Sequence, residues 1–231
     1  MRMKTIGLIG GMSWESTRLY YDAINQDVRA RRGGLHSAKL ILHSVDFAPL
    51  ADHLAAGRWD ALGDILSKAA KGLELAGADC IALATNTMHN VADKVTPATR
   101  LPFIHVAQVT AHALKASGKS RPLLLATRFT MEQAFYKDIL TAHGLQVTVP
   151  DLAARNEVHR IVFEELCRGE IKPSSRAMYE GETSRAKQAG CDCVILGCTE
   201  VGMLLSDANS ALPTFDTMVL HSRALVDFAL S

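Results

Sequence analysis

Residues 76–87 read AGADCIALATNT and residues 189–200 read AGCDCVILGCTE, so every matched pair stands 113 positions apart. Ala, Gly, Asp, Cys and one Leu coincide, and each copy carries an apolar run of strand character. The run ends in a small nucleophilic residue, Thr85 in the first copy and Cys198 in the second. Self-similarity at a fixed offset points to two related units, each delivering a reactive side chain from the end of a buried strand. A fainter echo agrees: RLYYDAI (18–24) resembles AFYKDIL (134–140), 116 positions on. Two such groups facing each other across one cleft suit chemistry that needs a proton on both faces of a carbon.

Working outward from the repeat, strand-like apolar runs alternate with helical periodicity. The runs 4–10, 38–45, 79–84 and 102–106 lie in the first half, and 121–127, 145–150 and 192–197 in the second. Between them, 16–31, 59–76, 130–142, 154–168 and 174–189 carry apolar residues at three- and four-residue spacing. Strands apolar on both faces, alternating with helices, mean an α/β fold with a mostly parallel, buried sheet. The expected architecture is two similar domains, each a mostly parallel sheet flanked by helices, with the active site in the cleft between them. The small polar stretch Ser117-Gly118-Lys119-Ser120 is the natural boundary. It gives a first domain over 1–117, completed by a C-terminal helix at 214–231, and a second over 118–213.

Composition narrows the function. The 231 residues carry a net charge of +1 with Lys and Arg dispersed, so no nucleic-acid footprint is present. No stretch approaches the roughly 20 apolar residues of a membrane helix, and the opening MRMKTIGLIGG reads as a first strand rather than a secretory signal. Five cysteines, an odd number without framework spacing, favour a reducing compartment, so a soluble cytoplasmic protein with no membrane partner is expected. Cys191-x-Cys193 lacks a second ligand pair of zinc spacing, and Cys80, Cys191 and Cys193 read as core residues. Gly7-x-x-Gly10-Gly11 with Asp46 misses the spacing of a dinucleotide site. Neither a metal nor a cofactor is therefore expected.

In open parallel sheets ligands bind outside the carboxyl ends of the strands. Four loops fall there: GGMSWEST (10–17), TNTMH (85–89), ATRFT (126–130) and GCTE (197–200). Their hydroxyls and free backbone N–H groups can bind a carboxylate without a cation, which points to a small anionic substrate. Cys198 follows Gly197 and precedes a short apolar segment. A helix start there is expected to lower the thiol pKa and make it a nucleophile or proton acceptor. Thr85 serves either as a helix N-cap or as the matching group of the first copy. His89 and Glu200 stand near as acid–base candidates.

Together GGMSWEST, TNTMH and LGCTE, in this order and spacing, resemble the aspartate/glutamate racemase superfamily, in particular its bacterial aspartate and broad-specificity amino-acid racemases. The resemblance covers essentially the whole chain. It implies a cofactor-independent, metal-free amino-acid racemase (an isomerase) of two similar α/β domains, assembled as a homodimer and acting on a small-molecule amino acid. In two-base members a cysteine occupies each motif position. Here Cys198 matches and Thr85 departs, so the catalytic pair implied is Thr85 and Cys198. Asn86, Thr87, Thr127, Thr130, Thr199 and Glu200, with backbone from Met12, are the implied substrate-binding residues. Aspartate-specific relatives place an Arg after the second strand and a Lys near 158–168. This chain has Phe47 and Cys167 near those places, with Arg128 or Lys137 as conceivable substitutes. The expected reaction is racemisation of L-aspartate, L-glutamate or a broader set of amino acids, by proton abstraction at Cys198 and reprotonation from the Thr85 side, itself supplied by water or His89. A single-thiol decarboxylase or isomerase of small carboxylic acids, and a non-catalytic amino-acid-binding protein, stay open as alternatives.

Overall fold

A computed structural model describes residues 2–231, and these form two compact units. The first runs to His105 and resumes over His221–Ser231, and the second is Val106–Leu220. In the first unit β1 (Ile6–Gly10) leads to α1 (Trp14–Arg32), β2 (Leu40–Ser44), α2 (Phe47–Ala55), α3 (Trp59–Leu75) and β3 (Cys80–Leu83). A 3-10 turn at Thr87–Val91, the short α4 (Ala92–Val95) and another turn at Thr96–Ala98 follow. The three strands are parallel in the order β2-β1-β3, with Ile6 opposite Leu40 on one side and Cys80 on the other.

The second unit holds α5 (Val106–Ala116), β4 (Pro122–Leu125), α6 (Arg128–Glu132), α7 (Ala134–Ala142) and α8 (Leu152–Glu164). A 3-10 turn at Leu166–Arg168, α9 (Pro173–Gln188), β5 (Cys193–Leu196), a 3-10 turn at Thr199–Met203 and β6 (Thr214–Asp216) come next. The chain then enters α10 (Thr217–Leu230), which passes back into the first unit at His221. This sheet is parallel too, in the order β4-β5-β6. Single parallel bridges, Ile81 to Phe103 and Leu123 to Thr148, supply the missing fourth position in each sheet, so both units share one topology.

The central strands β1, β3, β4 and β5 are buried along their whole length, as the unbroken apolar runs require of parallel strands covered by helices. Ile6, Leu8, Ile24, Leu62, Leu66 and Leu83 fill the first core, and each such side chain contributes about 2 kcal/mol on leaving water. The aspartate common to both copies of the repeat has the same task in each. Asp79 accepts the Thr5 N–H at 2.6 Å, and Asp192 accepts those of Ser120 and Arg121 at 2.8 and 3.0 Å. Each latches the entry of the neighbouring strand.

The division of the chain differs from the expected one. It falls after His105 and after Leu220 rather than at Ser117–Ser120 and Pro213. The reason is α5, whose Val106, Ala107, Ala111 and Leu114 are buried in the core of the second unit. The runs at 102–106 and 145–150 shrink to one bridge each, whereas β6, with no apolar run to announce it, is a true strand. Among the described residues no helix is long and apolar enough to cross a membrane.

Candidate active site

All four candidate loops lie just past the carboxyl ends of β1, β3, β4 and β5. In the first loop Gly11 takes φ +90°, where a Cβ would overlap the backbone of Val45. Thr17 braces this loop, accepting the Gly11 N–H at 2.8 Å and donating to the Ser13 carbonyl at 2.8 Å. Ser13 caps α1, and Met12 is buried beneath it. Asp46, set aside as a ribose ligand, is the N-cap of α2, accepting from Ala48.

After β3, Thr85 stands half-buried, while Asn86, Thr87 and His89 are buried. The N-cap of the following 3-10 turn is Asn86, not Thr85. The Thr85 hydroxyl hydrogen-bonds to none of the described residues, but its carbonyl accepts from His89 Nδ1 at 2.7 Å. A carbonyl can only accept, so Nδ1 carries the proton. His89 is thereby an anchor of the Thr85 backbone and not a donor to its hydroxyl. His105 and His221 pack edge-on against the His89 ring, with ring centres 4.5 and 5.9 Å away. His221 Nε2 donates to the Ile104 carbonyl at 2.8 Å, leaving Nδ1 to accept the Tyr20 hydroxyl at 3.0 Å. Burial holds all three imidazoles neutral, pushing His105 and His221 down to about 4 and His89 well below its ordinary value.

In the second unit Thr127 and Thr130 are buried, with their hydroxyls 3.4 Å apart at the start of α6. Arg128 between them is exposed, its guanidinium 5.9 Å from the Phe129 ring. Lys137 is committed elsewhere, donating to the Glu132 carbonyl at 3.1 Å. After β5, Cys198 is half-buried and its thiol donates to Glu200 Oε2 at 2.7 Å. Thr199 Oγ1 donates to the same oxygen at 2.7 Å, and the Cys167 thiol approaches Oε1 at 3.8 Å. Glu200 thus gathers Cys198, Thr199 and Cys167 around its carboxylate, and the Thr199 hydroxyl proton is directed to it.

The expected lowering of the Cys198 pKa does not occur. Burial and the Glu200 carboxylate push the thiol well above its ordinary range, and a 3-10 turn of five residues offers little dipole to oppose them. Burial likewise raises Cys80, to about 11, and Cys193. Among the described residues no group of three or more His, Cys, Asp or Glu side chains is arranged to hold a metal ion. Sequence reasoning missed His105 and His221, which join His89 from distant segments, and His159, whose Nδ1 meets the Arg128 N–H at 3.3 Å. No local spacing announces such partners.

Residues 9–225 match the Asp/Glu/Hydantoin racemase family. A crystal structure of a candidate Asp/Glu racemase from Yersinia pestis is 47% identical, covering 99% of this chain and 100% of that one with a TM-score of 0.94. An aspartate racemase homologue from Pyrococcus horikoshii OT3 is 33% identical over 99% and 100% of the two chains, TM-score 0.86. The broad specificity amino-acid racemase RacX of Bacillus subtilis (strain 168) is 22% identical over 98% of each chain.

Proposed function

Because the chain belongs to the Asp/Glu/Hydantoin racemase family, a family of isomerases, we propose that it racemises amino acids without a cofactor, drawing the α-proton of an L-substrate to Cys198. The observation that carries this reading is the thiol at the end of β5, already hydrogen-bonded to a buried carboxylate. The Sγ proton passes to Glu200 Oε2 along that bond, and the thiolate takes the α-proton. A proton returns to the opposite face from the Thr85 side.

The α-hydrogen of an amino acid is a very weak acid, so charge developing at the carboxylate needs donors fixed in advance. Thr127, Thr130, Asn86 and Thr87, with the backbone N–H groups at Met12 and Thr199, are the donors proposed. Effective concentration at a fixed contact supplies a further large factor. Thr85 is a far weaker acid than a thiol. Since His89 is spent on the Thr85 carbonyl, water reaching the half-exposed hydroxyl is the relay that remains. Proton abstraction from a D-substrate on the Thr85 side is therefore the slow step, and because the enantiomers have equal free energy the two directions keep equal kcat/KM.

Phe47 opens α2 and Cys167 faces Glu200, so neither provides a cation for a side-chain carboxylate. The substrate proposed is L-aspartate, L-glutamate or a broader set of amino acids, ordered by experiment. The test is α-proton exchange in D₂O without added cofactor over L- and D-amino acids, read by proton NMR and chiral chromatography. Deuterium incorporation with inversion, fastest from L-substrates and cut about 10³-fold in Cys198→Ser, is the expected result. Release of carbon dioxide from malonate-type acids, with no inversion of amino acids, would replace the reading by decarboxylation. Tight binding without exchange would replace it by an amino-acid-binding role.

A further inference from the structure

The turn bearing Thr127 and Thr130 is held in place by an element that carries none of the site residues. Helix α6 has five residues, too few to be stable by itself. Two side chains of α8 fasten it, one at each end. His159 Nδ1 lies 3.3 Å from the Arg128 backbone nitrogen at the first turn, and Arg155 pairs with Glu132 at 3.2 Å at the last. The first N–H groups of a helix need an acceptor from outside, normally the side chain of the N-cap. Here the N-cap is Thr127 and it makes no side-chain cap bond. His159 takes over part of that task.

We propose that His159 is a positioning residue for the substrate-carboxylate turn: its Nδ1 accepts the Arg128 N–H and fixes Thr127 and Thr130 in binding geometry. The inference rests on the reading of those two threonines given under Proposed function. Because Nδ1 must accept, the ring proton sits on Nε2 and the imidazole is neutral. The ring packs against Phe129, 5.8 Å away, and Phe163, 4.7 Å away between ring centres. Arg128 and Glu132 face it from α6, and Arg155 flanks it on α8. Burial and then the Arg128 charge lower its pKa, and Glu132 opposes them. Acid places a proton on Nδ1, breaks the bond and sets a cation beside Arg128.

Two measurements decide the point. The first follows the Arg128 amide and the His159 ring by ¹⁵N NMR from pH 8 to about pH 5, where an unperturbed imidazole would already be charged. The Arg128 amide is expected to shift as His159 gains its proton, and to stop doing so in His159→Asn, whose Oδ1 keeps an acceptor that does not titrate. The second is steady-state exchange. His159→Leu should raise KM about fivefold at neutral pH, the size of one neutral hydrogen bond, with kcat little changed. His159→Asn should restore KM and keep it flat into acid, where the wild-type KM climbs. An Arg128 amide indifferent to His159, or Asn and Leu variants that behave alike, overturns the proposal. If the wild type exchanges no α-proton, the racemase reading falls instead, and the amide titration alone then judges the clamp. That titration needs no destabilised variant.

Discussion

Cys198 donates its proton to Glu200, and burial together with that carboxylate holds the thiol above its usual range. Two requirements oppose each other there. A thiol that is hard to ionise is seldom ready to act, yet once ionised it is the stronger base, which a reluctant carbon acid demands. Glu200 reconciles them by standing ready to take the proton. Glu200→Gln should lower exchange from L-substrate at pH 7 at least about tenfold, since a general base is lost. The same change removes the negative charge that, after burial, raises the thiol, so Cys198 should titrate at lower pH. What activity remains should rise with pH along that titration. A pH–rate profile beside a direct thiolate titration checks both, and a thiol pKa that stays put would contradict the account. Across the substrate, Thr85→Cys should gain exchange from D-substrates severalfold and raise racemisation in both directions together, because enantiomers of equal free energy keep equal kcat/KM values. No gain would mean that position 85 does not meet the α-carbon.

At the scale of elements, the paired latches Asp79 and Asp192 make the repeat testable. Asp79→Ala should cost about 1–2 kcal/mol, because the part-buried Thr5 N–H loses its acceptor, and Asp192→Ala less, because the Ser120 and Arg121 N–H groups are exposed to water. Urea midpoints give the comparison, and unequal losses would separate the two units' strand entries. Burial disfavours the Asp192 charge, but the N–H groups of Ser120 and Arg121 outweigh it and hold the carboxyl below its ordinary value. Its contribution is therefore present above the unfolded pKa and is lost as pH falls through the folded one. The same elements show what was legible beforehand. Strands β1, β3, β4 and β5 announced themselves as apolar runs because both their faces are buried. Helix α2 is not among the helical segments read from the sequence, because its nine residues are too few to display a clear helical period. Strand β6 has three half-buried residues and no run to read. Thr85, Cys198 and Glu200 were legible because each belongs to a single motif. Cys167 against Glu200 and His159 against Arg128 meet across 33 and 31 residues, and only folding brings them together.

For the whole molecule, acid is the informative perturbation. His105 and His221 are neutral in the folded state, pushed down to about 4 by burial. Above the ordinary value near 6.5 both states are neutral and nothing is lost. Below it the unfolded chain gains protons that the fold refuses, so stability drains away between about pH 6.5 and pH 4. For fully buried His221 that amounts to about 3 kcal/mol. Hydrogen exchange should accordingly show β1 and β3 amides losing protection in that window, with a smaller loss in His221→Gln, which has no proton to gain. Protection that holds steady down to pH 4 would mean that the imidazoles are solvated before they charge.

Helix α10 has a consequence for how the protein is made. Leu225, Val226 and Ala229 are buried in the first unit, and Ala229 accepts the Lys4 N–H at 2.9 Å. During synthesis the first unit lacks this helix until the more than one hundred residues of the second have been made. The later-born unit therefore has its whole chain first, and the first unit is completed only by His221–Ser231.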